Sequence, residues 1–281
     1  WKMNNPTFFE VQKWAFSCIK GNGGTLEDVD YLICGQMGWN KTQLLMNYRT
    51  RIDDKNYQEL QEKIELYNQD YPLQYLIGYQ DFYGLRLKVT KDTLIPRPET
   101  EELVDWILND NSKNENYDVL DVGTGTGAIG LALKSIRSNW NIFLSDISEP
   151  ALKVARENAQ NLNLDVSFST SDLFEKIEGK KDIIVSNPPY ISENEKIYMD
   201  KSVLNYEPHQ ALFAKNNGLE IYERIANESG KLLKQGSKIY MEIGFLQGKA
   251  VKKIFKDSFP NSEITLKKDI NGNDRMICVK I

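Results

Sequence analysis

The sequence predicts an α/β protein, with a small helical domain preceding a larger domain built on a mostly parallel β-sheet. Apolar residues recur at helical spacing through the first eighty residues. After residue 118, strand-like apolar runs alternate with helical stretches, which is typical of a parallel sheet covered by helices. A glycine-rich turn joins the first such strand to its helix. We therefore predict a helical domain over residues 1–78, a β-hairpin and linker over 79–97, and the sheet domain over 98–281.

Three N-terminal stretches have the apolar spacing of helices: 8–18, 29–33 and 57–67. Thr25 followed by Asp28 predicts a helix N-cap, and the glycines just before it predict a break between helices. We expect Pro72 to end the last helix. A plain helical bundle and a partner-docking module both remain open for this region.

Residues 79–94 predict a short β-hairpin around Gly84. The following segment, residues 95–98, is Ile-Pro-Arg-Pro, which should be a stiff extended connector because each proline biases the preceding residue towards extended geometry. A helix is expected from Glu99 to Trp106, with Pro98 in its first turn.

The remaining chain alternates between the two element types. Helices are expected at 128–136, 151–161, 219–233 and 248–259. Strands are expected at 119–122, 142–145, 166–169, 182–186, 237–243, 264–266 and 276–281. No helix separates the last two strands, so we predict that the final one is antiparallel. Ligands of such sheets bind at the carboxyl ends of the strands.

The composition limits the kinds of binding site and cellular location that we expect for this chain. The chain has 281 residues, 41% of them hydrophobic and 27% charged, with a net charge of −5, which disfavours stable binding to nucleic acid. Its one histidine, His209, excludes a histidine-rich metal site, and no metal is expected. Three cysteines without CxxC spacing suggest a reducing compartment, and no run is apolar enough for a membrane span. We therefore expect a cytoplasmic protein.

A cofactor site is predicted at three successive strand ends. The first carries a loop of five residues: Gly123, Thr124, Gly125, Thr126 and Gly127. Its GxGxG spacing is neither a dinucleotide fingerprint nor a Walker loop, and alone it is a weak signal. Asp146 ends the next strand, where a carboxylate can accept hydrogen bonds from both ribose hydroxyls. Asp172, followed by Leu173, is placed to accept from an adenine amino group.

This constellation predicts an adenosine-type ligand. NAD would fit the first two strand ends, whereas the third acid and the next motif favour S-adenosylmethionine, with S-adenosylhomocysteine as product.

The chemical site is predicted at Asn187-Pro188-Pro189-Tyr190, directly after a buried strand. Two prolines fix the backbone and remove two N–H donors, which leaves the Asn187 oxygen and the Pro188 carbonyl as rigid acceptors. Such acceptors can hold both hydrogens of a planar nitrogen, and Tyr190 can stack on the planar group. Near-attack orientation towards a sulfonium methyl is then the main catalytic device. The residues thus predict an N-methyltransferase.

Several segments together resemble the peptide-chain release factor glutamine methyltransferases (the PrmC/HemK family). They are the GTGTG loop, Asp146, the SNPPYI run and LIPRPETE at 94–101. FYGL at 82–85, YEP at 206–208 and the tail at 269–275 also match. The motif NPPY alone is shared with nucleic-acid methyltransferases, so the IPRPET segment discriminates.

The resemblance implies a class I S-adenosylmethionine-dependent methyltransferase domain of Rossmann-like fold. It implies methylation of N5 of the glutamine in the GGQ motif of class I release factors, which tunes translation termination. The loop 123–127 and Asp146 would hold the cofactor, and Asn187, Pro188 and Tyr190 the glutamine amide. The helical domain would grip the release factor. Three further residues would lie near the substrate pocket: Phe82, Arg97 and Glu99.

One departure concerns the adenine, because some relatives have tryptophan where this chain has Leu173, and either Leu173 or Phe174 could pack on the ring. Two other functions remain open from the motifs alone. A nucleic-acid amino methyltransferase acting on adenine N6 or guanine N2 would use the same NPPY motif, and an NAD-dependent oxidoreductase or a non-catalytic nucleotide-binding module would use the same loop.

Overall fold

The computed structural model describes residues 4–281, so Trp1, Lys2 and Met3 of the predicted helical domain lie outside the described part. The described chain forms two compact units. The first contains residues 4–79 together with Asp200–Tyr206, and the second contains Gln80–Met199 and Glu207–Ile281. The return of a late segment to the first unit was not predicted.

The first unit is helical. Its helices are α1 (Phe8–Ile19), α2 (Leu26–Met37), α3 (Lys41–Met46), α4 (Asp54–Tyr67) and α5 (Leu73–Ile77), and a later helix, Lys201–Tyr206, joins them. The predicted N-cap is confirmed, because the Thr25 hydroxyl accepts from Asp28 N and the Asp28 side chain accepts from Thr25 N. The prediction for Pro72 was wrong: α4 ends at Tyr67, and Pro72 is the N-cap residue of α5. Proline is well tolerated at a helix N-terminus, since the N–H that it lacks would have no helical partner there.

The core of this unit is apolar, with Val11, Ala15 and Leu32 fully buried. The returning segment is attached by Tyr206, whose hydroxyl donates to the Gln69 carbonyl at 2.8 Å.

The second unit contains the sheet and the remaining helices. Its strands are β1 (Tyr79–Phe82), β2 (Leu85–Lys88), β3 (Asp118–Val122), β4 (Asn141–Asp146), β5 (Ser167–Thr170), β6 (Lys181–Ser186), β7 (Leu233–Glu242), β8 (Glu263–Lys268) and β9 (Asp274–Lys280), with the first residue of β1 belonging to the helical unit. The helices from residue 98 onward are α6 (Pro98–Asp110), α7 (Ala128–Ile136), α8 (Glu149–Asn161), α9 (the returning Lys201–Tyr206), α10 (His209–Leu212), α11 (Lys215–Gly218), α12 (Glu220–Glu228) and α13 (Gly248–Ser258). Short 3₁₀ turns cover Lys20–Asn22, Glu193–Tyr198 and Ser229–Leu232.

Seven strands form one sheet in the order β5-β4-β3-β6-β7-β9-β8. Strands β3 to β7 pair in parallel, whereas β9 is antiparallel to both β7 and β8, which confirms the predicted antiparallel last strand. The strand order reverses between β3 and β6, because the chain adds β4 and β5 on one side and β6 and β7 on the other. Ligand crevices of open α/β sheets lie at such a switch point.

Both faces of the sheet are buried by helices, since Leu120 packs in one apolar cluster and Val119 in the other. One predicted boundary was wrong: β7 begins at Leu233, inside the stretch predicted as helix, because α12 ends at Glu228 and a 3₁₀ turn follows. The apolar pair Leu232-Leu233 fits either period, so the pattern could not place this boundary. The hairpin is confirmed; its two turn residues, Tyr83 and Gly84, have φ of 49° and 75°. Across residues 4–281, no helix combines the length and apolarity that crossing a bilayer requires.

Candidate active site

A cavity of about 320 Å³ opens at the switch point, beyond the carboxyl ends of β3, β4, β5 and β6. Its size is within the range of small-ligand sites. The structure brings eight of the predicted site residues together along its wall: Gly123, Gly125, Asp146, Asp172, Leu173, Asn187, Pro188 and Pro189. Predicted residues from four separate strand ends therefore converge on one pocket.

The glycine-rich loop is shaped for close approach by a ligand. Gly123 and Gly125 have φ of 68° and 56°, and no heavy atom lies within 4 Å of the position that a Cβ would take at either residue. Thr124, Thr126 and Gly127 do not line the cavity but hold the loop. The Thr124 N–H donates to the Ser145 carbonyl, and the Thr126 carbonyl accepts from the Asn158 side chain, both at 2.9 Å.

Asp121 anchors this loop from below. Its Oδ2 accepts from the Thr124 hydroxyl at 2.7 Å and from the Gly130 N–H at 3.0 Å. Burial raises the pKa of the Asp121 carboxyl from 3.8 to about 6. The sequence predicted no role for this acid, and its position beneath the loop makes it a loop-positioning residue.

Asp146 ends β4 at the cavity wall. One carboxylate oxygen accepts from Gly125 N at 2.8 Å and the other from Ser148 N at 2.9 Å. These bonds fix the carboxylate and leave each oxygen a further acceptor position, which suits a pair of ribose hydroxyls. Burial raises the pKa of Asp146. The open glycine faces and this acceptor pair fit an adenosine cofactor.

The end of the pocket that is predicted to hold adenine contains a cation that the sequence did not predict. Asp172 lines the cavity, and its Oδ1 accepts from Arg224 Nη1 at 3.0 Å, with Arg224 also on the wall. Leu173 lines the cavity, whereas Phe174 is fully buried in the core. Of the two candidates, only Leu173 is therefore placed to pack on an adenine ring.

The NPPY segment follows β6, and its first three residues form the opposite wall of the cavity. Asn187 is held from behind, because its Nδ2 donates to Thr100 Oγ1 at 3.4 Å. Thr100 in turn donates to Oε2 of the buried Glu242 at 2.6 Å. The Asn187 amide therefore has its nitrogen occupied and its oxygen left for another partner.

Tyr190 lies behind the cavity wall rather than on it. Its hydroxyl donates to Glu242 Oε1 at 3.1 Å, and Gln247 Nε2 donates to its carbonyl at 2.9 Å. Burial raises the pKa of the Tyr190 hydroxyl and of the Glu242 carboxyl. The ring is thus fixed through both its hydroxyl and its backbone.

The three residues assigned to the substrate pocket by resemblance lie outside the cavity wall. Phe82 is 1% exposed and packs in the apolar core. Arg97 pairs with Glu207, whose second oxygen accepts from Ile95 N at 3.0 Å, so this acid holds the Ile-Pro-Arg-Pro connector. Glu99 is partly exposed in the first turn of α6. Their roles in substrate binding stay predictions.

Thr100, Glu207, Arg224 and Glu242 were not among the predicted site residues. Glu242 had a usable signal, since it is an acid at the end of the apolar run 239–241, as Asp146 is at the end of β4. Arg224 lies on an ordinary amphipathic helix, where one more charge carries no signal.

Known proteins resemble this chain along nearly its full length. The family model of the PrmC N-terminal domain matches residues 10–78, and that of the methyltransferase small domain matches residues 101–207. A release factor glutamine methyltransferase of Enterococcus faecalis is 43% identical over 270 residues, covering 96% of this chain and 97% of that protein. Its namesake in Streptococcus pneumoniae is 50% identical over 208 residues, or 74% of each chain. The one in Bacillus subtilis is 38% identical over 98% of each.

Solved structures show the same fold at much lower identity. The hMettl16 catalytic domain, in complex with the MAT2A 3′UTR hairpin 6, superposes with a TM-score of 0.55 at 17% identity over 81% of each chain. A methyltransferase from Pyrococcus furiosus has a TM-score of 0.51 at 17% identity, covering 70% of this chain and 89% of that one. At such identity the likeness establishes the class I methyltransferase fold alone.

Proposed function

The chain belongs to the release factor glutamine methyltransferases, and from that premise we infer that it transfers a methyl group from S-adenosylmethionine to a glutamine side-chain amide of a peptide chain release factor. The target is the N5 nitrogen of the glutamine in the GGQ motif of class I factors. One observation carries the chemistry: Asn187 and Pro188 line the same cavity as Gly123, Gly125 and Asp146.

The residues of this chain divide the work between cofactor and substrate. Gly123 and Gly125 would hold the part of the cofactor that lies against the loop. Asp146 would hold the ribose, and Leu173 would pack on the adenine. When bound, S-adenosylmethionine supplies a sulfonium methyl group, whose bond to sulfur breaks as the bond to the glutamine nitrogen forms. The site needs no metal for this reaction, because the leaving sulfide is already a stable neutral group.

The chain has to compensate for a poor nucleophile, since an amide nitrogen shares its lone pair with the carbonyl. Asn187 Oδ1 and the Pro188 carbonyl accept the two N–H hydrogens and turn the nitrogen towards the methyl group. Orientation of this kind can supply several kcal/mol of the barrier, roughly 7–11 kcal/mol in the best intramolecular cases. After transfer the nitrogen is cationic and readily releases one proton, which makes it neutral again, so a strong general base is not required. Tyr190 lies behind the cavity wall, where its bonds to Glu242 and Gln247 hold the segment that carries these two acceptors.

We assign recognition of the release factor to the helical unit. The support is its match to the PrmC N-terminal domain and a set of exposed apolar side chains, among them Leu45 at 50% and Met46 at 78% exposure. Such residues are typical of contact surfaces when they cluster. We place the enzyme in the cytoplasm, where its substrates would be found, and propose that it forms no stable complex with nucleic acid.

The decisive experiment is methylation of a purified class I release factor, followed by mass spectrometry of the GGQ-containing tryptic peptide. A mass increase of one methyl group, lost when the motif glutamine is replaced by alanine, is the expected result. DNA and ribosomal RNA serve as parallel substrates with labelled cofactor. Label in nucleic acid and none in the release factor would overturn the assignment.

The variant Asn187→Ala tests the role of the motif within that assay. It removes one acceptor for the glutamine N–H while leaving Asp146 intact. We expect a fall in kcat on the order of 100-fold, with the Kd for S-adenosylhomocysteine changed little. Parallel loss of both would instead make Asn187 a cofactor-binding residue.

A further inference from the structure

A buried hydrogen-bonded chain runs behind the NPPY segment and ends at Glu242. Glu242 is 3% exposed at the end of β7, and Thr100, from the first turn of α6, is 4% exposed. Thr100 links the Asn187 amide to one carboxylate oxygen, and Tyr190 occupies the other. The side chains of Asn187 and Tyr190 are therefore tied to a single acid.

The direction of each hydrogen in this chain is determined by its neighbours. A guanidinium can only donate, and Arg275 Nη1 lies 3.5 Å from the Tyr190 hydroxyl, which therefore accepts there and gives its own hydrogen to Glu242. A carboxylate can only accept, so Thr100 also gives its hydrogen to Glu242. The Thr100 oxygen is then left as an acceptor, and Asn187 must present its NH₂ to it.

From this geometry we propose that Glu242 is a positioning residue for methyl transfer: acting through Thr100, it sets the side-chain amide of Asn187 with Oδ1 towards the substrate nitrogen. The inference rests on the proposed function, because it explains how the acceptor needed by the glutamine N–H is presented. Without such a constraint, an asparagine amide can rotate by half a turn at little steric cost. The rotated amide would offer N–H donors to the N–H donors of the substrate.

Replacement of Glu242 by glutamine is informative because it keeps the shape of the side chain but replaces one of its two hydrogen-bond acceptors with a donor. An amide has one acceptor oxygen and one donor nitrogen, so it cannot accept from both Tyr190 and Thr100. If the oxygen keeps the Tyr190 hydrogen, the new NH₂ donates to Thr100. The Thr100 hydroxyl is then free to donate its hydrogen to Oδ1 of Asn187, which favours the rotated, unproductive amide.

The experiment measures steady-state methylation of a release factor by E242Q, T100V, T100S and the double variant T100V/E242Q. We expect E242Q to lower kcat on the order of 10- to 100-fold, while the Kd for S-adenosylhomocysteine changes less than about twofold. T100V, which cannot accept from Asn187, should lower kcat by a smaller factor. T100S, which keeps the hydroxyl, should retain most of the wild-type kcat. The double variant should be no worse than E242Q, because both changes act through the same bond.

Tyr240→Phe is the matched control. It removes another buried hydroxyl that joins β7 to α6, since Tyr240 donates to Asp110 and accepts from Asn111 at 3.1 Å. It should lower the thermal midpoint while leaving kcat within about twofold.

The outcomes separate the inference from the function on which it rests. If wild-type protein does not methylate the release factor, the proposed function fails. If wild-type protein does so and E242Q and T100V keep wild-type kcat, the positioning role is refuted. Equal losses of kcat in Y240F and E242Q would likewise refute it, since a merely structural tie between β7 and α6 would then account for both.

Discussion

Replacing Gly218 by alanine should impair methyl transfer through the backbone of the NPPY segment. Gly218 has φ of 81°, and a Cβ built on it would lie 2.0 Å from the Tyr190 carbonyl oxygen and 2.8 Å from its carbon. The obstacle is backbone, which cannot rotate away as a flexible side chain can. Tyr190 is also tied to Glu242 and Gln247, so the strain is transmitted to the NPPY segment.

The expected effect of Gly218→Ala has two parts, a loss of stability and a loss of rate. The left-handed conformation costs an alanine about 1–2 kcal/mol relative to glycine. Relief of the contact requires the two backbones to separate by about 1 Å, and a displacement of that size at a catalytic group lowers the rate on the order of 100-fold. We therefore expect Gly218→Ala to lower kcat about 100-fold, with a modest loss of stability.

Gly236→Ala is the matched control for this test. Gly236 has φ of 78°, but no heavy atom lies within 4 Å of its added Cβ, and the residue is exposed. It should show the conformational cost alone, about 1–2 kcal/mol in chemical unfolding, with unchanged methylation of the release factor. Equal kcat in Gly218→Ala and Gly236→Ala would show that the backbone contact between Gly218 and Tyr190 does not constrain methyl transfer.

Three further predictions concern acids of the second unit. Asp146→Asn cannot accept two backbone N–H bonds with the same pair of oxygens, so calorimetry should show S-adenosylhomocysteine binding weaker by about 1–3 kcal/mol. Asp121 has a raised pKa, so its proton stabilises the fold below pH 3.8 and that stability is lost as the pH rises through about 6. Asp121→Asn should therefore gain up to about 3 kcal/mol of unfolding free energy over wild type between pH 4 and pH 7. Glu207→Gln weakens the pair with Arg97 and should cost about 1–3 kcal/mol in urea unfolding.

Each of these has a result that would count against it. Unchanged affinity in Asp146→Asn would remove the ribose assignment, and a pH-independent difference for Asp121→Asn would mean that the buried acid does not titrate in this window. Arg86→Gln, at an exposed pair with Asp81, is the control for Glu207 and should change stability by less than about 0.5 kcal/mol. A loss as large as that of Glu207→Gln would contradict the role of burial.

The parts of the site that the sequence predicted are local. The loop 123–127, Asp146 and the NPPY segment each lie at or directly after the end of a strand, so the parallel topology alone brings them to one edge of the sheet. The network behind Asn187 is not local, because Thr100 and Glu242 are 142 positions apart and meet only when α6 packs on β7. A pattern read along the chain shows which residues end strands, but not which residues form hydrogen bonds with each other.

The same distinction separates reaction from target within this fold. A neighbour in complex with an RNA hairpin shares the architecture at a TM-score of 0.55, so the sheet and its switch point do not select a substrate. Rigid acceptors at the end of β6 require only a planar nitrogen, which an amide and a nucleobase both possess. Selection must then come from parts outside the sheet, and we propose that in this chain those parts are the helical unit and the connector held by Glu207. We therefore expect changes in the helical unit to raise KM for the release factor while kcat is retained, whereas changes around Asn187 lower kcat.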